Sequence, residues 1–381
     1  MVLRAPLHKP RFPRWLIAIV IVVALGVVAG AFWFYNDQNR GARRNIENDL
    51  LSVGQLKAQQ IASWRAERLG NAGVITGDPA SRDLIARWLG SRQPADTAEI
   101  RAWFRTVKNE YNYANVELLN ASGGVLLSLS DAGAFPEPTA LEALQTALSG
   151  KQAVLTDLHF ATDGKTVNLD AIAPLFGGAA ASGAPLAAVL LTANASDFLF
   201  PLIQKWPTES SSAETLLVRR DGDQVLYLNE LLHQKGTALK LKVPVTKADV
   251  PAVMAVLGAS GIVEGIDYRG AKVIAAVQRV PESSWFIVAK IDQSEAFGGA
   301  RFRSILIVIL TVLLLAALSG GTSLIWQRSL KKRYAEAYDA ELSRQTVLAR
   351  YEHLMKQAND IILLGDEDQR VVEANDRAVE A

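Results

Sequence analysis

The stretch GIVEGIDYRGAKVIAAVQRVPESSWFIVAKID, residues 261–292, decides the fold. It contains apolar runs separated by short polar segments, the first of which is Asp267-Tyr268-Arg269. Short apolar runs bounded by turn residues are typical of antiparallel strands joined by tight turns. We therefore predict consecutive strands here, and we interpret Asp267, Tyr268 and Arg269 as a structural turn.

The same order of elements occurs twice in the middle of the chain. A hairpin pattern opens each unit, VELLNASGGVLLSLS at 116–130 and TLLVRRDGDQVLYL at 215–228. A short predicted helix follows, at about 138–149 and 249–257, and further strand-like runs complete each unit. Repetition of element order is a stronger signal than any single element. Each unit is predicted to be a small antiparallel sheet with helices packed on one face.

Further helices are predicted around these units. The apolar spacing of residues 45–76 indicates a long helix, and a second helical piece at about 98–109 follows a polar loop. The two units end in polar segments, 194–197 and 292–295, whose Ser and Asp side chains are predicted to cap new helices.

Two uncharged apolar runs flank the repeat, WLIAIVIVVALGVVAGAFWFY at 15–35 and SILIVILTVLLLAALSGGTSLIW at 304–326. About 20 apolar residues suffice for a helix to cross a bilayer. For the first run the alternative is a cleaved signal peptide, although the apolar core of such a peptide is usually shorter. Lys and Arg are more frequent on the outer flanks of the two runs than on the inner flanks, which favours a cytoplasmic location for both chain ends. Residues 1–14 are then cytoplasmic, and residues 36–303 lie outside the cytoplasm.

The segment after the second apolar run is predicted to continue as a helix. Residues 327–357 contain no Gly or Pro, and their apolar residues recur near every 3.5 positions, as in a dimeric helix pair. A solvated linker helix is the alternative. The final stretch, IILLGDEDQRVVEANDRAVEA at 361–381, repeats the opening hairpin pattern, with a predicted helix start at Asn375.

These features together resemble a double Cache sensor, in which two PAS-like modules lie between two membrane spans. The match is carried by KAQQIASWRAER at 57–68, by AETLLVRRDGDQVLYLNE at 213–230 and by residues 261–292. The resemblance implies an α+β membrane protein with two transmembrane helices flanking a double Cache domain. That domain would have a long helical spine and two antiparallel PAS-like sheets, in a distal module at about 60–200 and a proximal module at about 211–297. Residues 358–381 would begin a cytoplasmic PAS domain.

The function that this resemblance implies is reception of an extracytoplasmic small molecule. Double Cache regions of this kind belong to bacterial histidine kinases and diguanylate cyclases, so we expect a homodimer in the inner membrane with a periplasmic sensor domain. Its output domain, a histidine kinase or a cyclic-di-GMP enzyme, is expected beyond this sequence. The alternative is a membrane-anchored protein-interaction module that has no small-molecule ligand.

The residue types and motifs of the sequence also bear on three other functional classes: enzymes, metal or cofactor proteins and nucleic-acid binders. The chain has no phosphate-binding loop, no H-E-x-x-H and no G-x-S-x-G, so no catalytic residue is predicted and enzymatic activity stays open. It has no cysteine, and none of its 4 histidines is paired with another at metal-ligand spacing, so no metal and no cofactor are predicted. A net charge of +1 argues against nucleic-acid binding.

The resemblance places the ligand in the distal module. The candidate ligand-binding residues there are Tyr111, Tyr113, Asp157, His159 and Asp170. An aspartate can pair with a ligand amine and a charged histidine with a carboxylate, while each of the five also has an ordinary structural role as its alternative. Asp157 and His159 are two apart and would share one face of a strand, either in a pocket or in solvent. The Arg–Trp–Tyr cluster of the amino-acid-binding Cache subfamily is not apparent, so amino-acid sensing is not predicted.

Overall fold

The structure is a computed structural model that describes residues 14–130, 137–178, 183–358, 360–366, 370–374 and 377–378. The chain divides into two compact units. The central unit is Gln38–Arg301, and the terminal unit comprises Met1–Asp37 and Phe302–Ala381. Of the predictions above, residues 1–13 and the helix start at Asn375 lie outside the described residues.

Helix α1, Arg14–Gly77, is one uninterrupted helix of 64 residues. Within the central unit it buries Leu50, Ala58, Ile61 and Trp64. These residues follow helical spacing, so a single apolar stripe of α1 contacts the rest of the unit. The predicted long helix is confirmed, and it begins 31 residues earlier than the predicted start at residue 45.

Helix α2, Pro79–Ser91, forms where the sequence was predicted to be a polar loop. Asp78 is its N-cap, because its carboxylate accepts hydrogen bonds from the backbone N–H groups of Ala80 and Ser81. Pro79 fits the first helical position, where no N–H is needed. The loop prediction was wrong because Leu84, Ile85 and Trp88 supply a buried face that the surrounding polar residues obscured. Helix α3, Pro94–Glu110, follows.

The first module, residues 79–194, contains a six-stranded antiparallel sheet. Its strands are β1 Asn115–Leu119, β2 Val125–Ser128, β3 Val154–Leu155, β4 His159–Phe160, β5 Val167–Phe176 and β6 Pro185–Asn194. The order is β2-β1-β6-β5-β3, and β4 also pairs with β5. One face of this sheet packs on α1, α2 and α3, and helix α4, Pro138–Gly150, covers part of the opposite face.

The second module, residues 214–292, repeats this arrangement after a connector that contains α5, Leu199–Gln204. Its strands are β7 Glu214–Asp221, β8 Gln224–Tyr227, β9 Lys242–Pro244, β10 Gly261–Ile266, β11 Lys272–Arg279 and β12 Trp285–Asp292. The order is β10-β11-β12-β7-β8-β9, and helix α6, Pro251–Val256, packs on one face. In both modules the last strand lies between the first strand and the next-to-last one.

Both predicted helix caps are wrong. Helix α5 begins at Leu199 without a side-chain cap, and helix α7, Gln293–Ala296, begins after Asp292, whose carboxylate binds Arg269 instead. Glu295 accepts hydrogen bonds from the serines at 210, 211 and 212. These bonds hold the pKa of Glu295 down, at about 2. At the second predicted cap, a tertiary ion pair with Arg269 therefore takes the carboxylate that was predicted to cap the helix.

The terminal unit contains the apolar part of α1 and helix α8, Gly298–Gln357. Ile17–Gly77 and Phe302–Gln357 are long and apolar enough to span a membrane, and the apolar window of each is 0% buried inside the protein. Strands β13 Leu363–Gly365 and β14 Val371–Ala374 form the predicted terminal hairpin. The predicted α+β architecture is confirmed. The antiparallel sheets pack on the long helix α1, and along the chain they lie between two apolar helical segments.

Candidate functional site

One face of the first sheet carries a row of polar side chains beside α4. Register places Thr192 of β6 between Asn115 of β1 and Asp170 of β5. Residues two apart on a strand share a face, so Glu117 and Asn168 belong to the same surface. We call this surface the polar face. The opposite face is apolar and packs on the long helix, so strand alternation alone separates the two environments.

His159 and Asp170 form a buried pair on the polar face. The Nε2 atom of His159 lies 3.2 Å from Asp170 Oδ2, and its Nδ1 atom lies 3.1 Å from the backbone oxygen of Asp157. Burial lowers the pKa of His159, but the hydrogen bond and charge of Asp170 outweigh it, so the pKa is raised. Both ring nitrogens face oxygen acceptors, which is the arrangement that suits a protonated imidazole.

A second carboxylate lies on the same face. Glu117 is buried, and its Oε1 atom accepts a hydrogen bond of 2.9 Å from Ser128. Burial raises the pKa of Glu117 and the charge of Asp170 raises it further, while the Ser128 bond partly offsets this. The polar face therefore combines two carboxylates, those of Glu117 and Asp170, with one histidine.

Three side-chain oxygens of the polar face lack a donor among the described residues. Asn115 Oδ1, Asn168 Oδ1 and Asp170 Oδ1 are buried and have no hydrogen-bond partner among the described residues. A buried acceptor without a partner costs about 1–3 kcal/mol. A primary ammonium group offers three N–H donors and a positive charge, so it complements this surface chemically.

The two tyrosine candidates lie elsewhere. The Tyr111 side chain is 43% exposed, and its backbone oxygen accepts a hydrogen bond from Arg68. Tyr113 is buried in the core beside α1, where the Arg68 guanidinium lies 4.8 Å from the centre of its ring. Neither tyrosine joins His159 and Asp170 on the polar face.

Asp157 contacts the second module through its side chain. Its Oδ2 atom accepts a 2.7 Å bond from Arg219 of β7, and its Oδ1 atom accepts a 2.8 Å bond from the Trp285 indole of β12. The Arg65 guanidinium of α1 lies 4.3 Å from the centre of the Trp285 ring. The expectation that Asp157 and His159 share one environment is therefore wrong: Asp157 turns toward the second module, while His159 turns toward Asp170.

The structure identifies polar-face residues that the sequence analysis did not select. These are Asn115, Glu117, Asn168 and Thr192. A signal was present, because each is a polar residue at an alternate position of a strand that is otherwise buried. To bring these residues together, however, one must know which strands are neighbours in the sheet. Within the described residues no group of acids and histidines could hold a metal ion.

No family model matches the sequence, and no curated protein matches it. Solved structures do match. The ligand-binding domain of the Pseudomonas aeruginosa amino acid chemoreceptor PctC, in complex with GABA, is 21% identical over 65% of this chain and 99% of its own, with a TM-score of 0.42. The ligand-binding domain of the Campylobacter jejuni chemoreceptor Tlp3, in complex with 4-methylisoleucine, is 13% identical over 67% of this chain and 94% of its own, with a TM-score of 0.48. The extracellular domain of vpHK1S-Z8, a predicted histidine kinase, is 13% identical over 70% and 96%, with a TM-score of 0.45.

These neighbours are the ligand-binding domains of two chemoreceptors and the extracellular domain of a histidine kinase. The structure described above has tandem antiparallel sheets on one long helix, between two apolar helices. The chain therefore has the long helix and the two antiparallel sheets that the resemblance to a double Cache sensor implies.

Proposed function

We propose that this protein is a membrane receptor that binds a small molecule carrying an amine on the polar face of its first module. The observation that carries the proposal is the set of buried oxygens of Asn115, Asn168 and Asp170 that have no partner among the described residues. Asp170 would contribute the charge that an ammonium needs, and His159 would remain its neighbour.

The same residues connect the proposed site to the second module. Thr156 exchanges two hydrogen bonds of 2.8 Å with the backbone of Asp170, and His159 contacts the Asp170 carboxylate. Between them in sequence lies Asp157, which binds Arg219 and Trp285 in the second module. A ligand that moves Asp170 therefore moves the segment that joins the two modules.

The remaining parts of the proposal come from the sequence. Lys and Arg flanking the two apolar helices support a bacterial inner-membrane location with the central unit in the periplasm. The apolar repeat of residues 327–357 supports a homodimer, with α8 carrying the signal to a cytoplasmic PAS domain. The resemblance implies a histidine kinase or a cyclic-di-GMP enzyme as the output.

The test is thermal unfolding of the full chain in lipid nanodiscs with a panel of small amines, amino acids and organic acids. A ligand at 100 times its dissociation constant stabilises the folded state by about 2.7 kcal/mol. We expect stabilisation by at least one amine and its loss in Asp170→Asn. As a matched control, Asp163→Asn changes an exposed acid of the same module and should keep the full response.

Two results would contradict the proposal. One is stabilisation by no amine in a folded wild-type chain. The other is an amine response that survives in Asp170→Asn, because it would place the ligand away from the polar face. The first result includes a response to organic acids alone.

A further inference from the structure

The second module has a buried charged cluster at the place where the first module has its polar face. Lys290 lies on β12 and is 0% exposed. Its Nζ atom lies 2.8 Å from Asp267 Oδ2 and 3.0 Å from Glu214 Oε2. The Tyr268 hydroxyl donates a 3.0 Å bond to the same oxygen of Glu214. The ammonium group is therefore held between two carboxylates, and the Tyr268 ring centre is 5.0 Å away.

The register shows that Lys290 and Thr192 occupy equivalent positions. Thr192 lies on the last strand of its sheet between Asn115 and Asp170, two residues before the strand ends. Lys290 lies on the last strand of its sheet between Glu214 and Ala275, also two residues before the strand ends. Strands β6 and β12 each lie between the first and the next-to-last strand of their module. Thr192 is on the sheet face that α4 covers, and Lys290 is on the sheet face that α6 covers.

Stability alone does not explain the cluster. A buried ion pair is usually no more stabilising than a well-packed apolar group, because two charges must be removed from water. The site also contains a polar group that the cluster does not use: Tyr227 is fully buried, and its hydroxyl has no partner among the described residues. Burial raises the pKa of Tyr227, and the charges of Asp267 and Glu214 raise it further. The lining thus combines acids, a tyrosine ring and a spare hydroxyl around one ammonium.

We infer that the second module is a binding site for a primary alkylammonium group, and that Lys290 fills it as a tethered ligand. The Lys290 side chain supplies this ammonium from within the protein. The inference concerns Glu214, Asp267 and Lys290, and it does not depend on the amine site of the first module.

The tethered ammonium affects the C-terminal end of the second module, where β12 leads into α7. Asp267 also accepts a 2.7 Å bond from Arg269, and Arg269 pairs with Asp292 at the end of β12. The backbone N–H of Asp292 donates to Ser212, in the connector. Lys290 therefore holds the 267–270 turn against the last strand before α7, and an occupied site keeps that strand in place.

The test removes the Lys290 side chain and adds a soluble amine that matches the atoms removed. Lys290→Ala deletes Cγ, Cδ, Cε and Nζ, which together match n-propylammonium. The full chain in nanodiscs carries Asp170→Asn in every sample, so that an amine in the first module cannot contribute. We expect Lys290→Ala to lower Tm by roughly 10 °C. Saturation with n-propylammonium chloride, at tenfold its dissociation constant, should return about 4 °C of this loss.

Two controls isolate the site. Tetramethylammonium chloride has the same charge but no N–H donor, and should return nothing. Lys290→Met fills the space with an apolar chain, and should not respond to n-propylammonium. Equal shifts in Lys290→Ala and Lys290→Met, or no shift in either, would overturn the inference. If Lys290→Ala does not fold, Lys290→Ala with Glu214→Gln leaves a single buried carboxylate and gives the same comparison.

Discussion

The two modules place different groups at the same point of the same sheet. In the first module the row across the last strand is Asn115, Thr192 and Asp170, and two of its oxygens have no partner among the described residues. In the second module the row is Glu214, Lys290 and Ala275, and the lysine ammonium is bound by two carboxylates. The Thr192 hydroxyl donates to neither of these two oxygens, whereas the Lys290 ammonium contacts both carboxylates.

The two sites differ in their capacity to accept a cation. In the second module the Lys290 ammonium already occupies the space between Glu214 and Asp267, so a second cation has no place there. A site with unused acceptors can gain free energy from a ligand. One architecture thus carries oxygens without a partner among the described residues in one module and a bound lysine ammonium in the other, and Asp157 connects the two modules.

The largest expected effect is on stability, at the two equivalent positions. Lys290→Met leaves Glu214 buried without a cation and Asp267 paired with Arg269 alone, so the free energy of unfolding should fall by about 3–5 kcal/mol. Thr192→Val removes only a hydroxyl, and should cost less than about 1 kcal/mol. Chemical denaturation of the full chain, followed by tryptophan fluorescence, measures both. Similar losses for the two variants would show that the rows are not as different as their partners indicate.

An intermediate effect is expected at the connection between the modules. Asp157 and Arg219 retain 25% and 27% side-chain exposure, so Asp157→Asn should cost only about 1 kcal/mol. Its main consequence should be a loss of cooperativity, with two calorimetric transitions in the central unit in place of one. Asp163→Asn, an exposed acid a few residues away, is the control and should leave the transition unchanged. A single transition in Asp157→Asn would mean that other contacts couple the modules.

The smallest effect is a pH dependence that belongs to the first module. The folded-state pKa of His159 is raised by Asp170, against the opposing effect of burial. Its contribution to stability is therefore complete below the unfolded-state pKa of about 6.5, and is lost as pH rises through the folded-state pKa. Asp170→Asn should flatten this decline, whereas His233→Gln, at an exposed histidine of the second module, should not. Denaturation at a series of pH values from 5.5 to about 8.5 tests it; a decline that persists in Asp170→Asn would assign it to another group.

Some features of the fold could be predicted because they are local. The two uncharged runs, the turn at 267–269 and the hairpins at 116–130 and 215–228 are each decided by residues that are close in sequence. Apolar periodicity and turn chemistry act over such short distances. Helix α2 was missed for a related reason: its buried side depends on the sheet and helices that cover it, and its own residues are mostly polar.

The sites depend on contacts between distant segments. Asp170 and His159 were selected from the sequence and meet on the polar face, but Asn115 and Thr192 join them only because β1, β6 and β5 are neighbours in the sheet. Asp157 was selected as a ligand residue, and its carboxylate instead binds Arg219 and Trp285.

The sequence by itself determined the succession of strands along the chain, the repeat and the two apolar helices, since these follow from the side-chain pattern along the chain. Only the tertiary structure decided which polar groups face one another. Strand register is fixed by packing of whole faces, and a shift of one residue would exchange the buried and polar sides. That register places Thr192 among unused oxygens in one module and Lys290 between two carboxylates in the other.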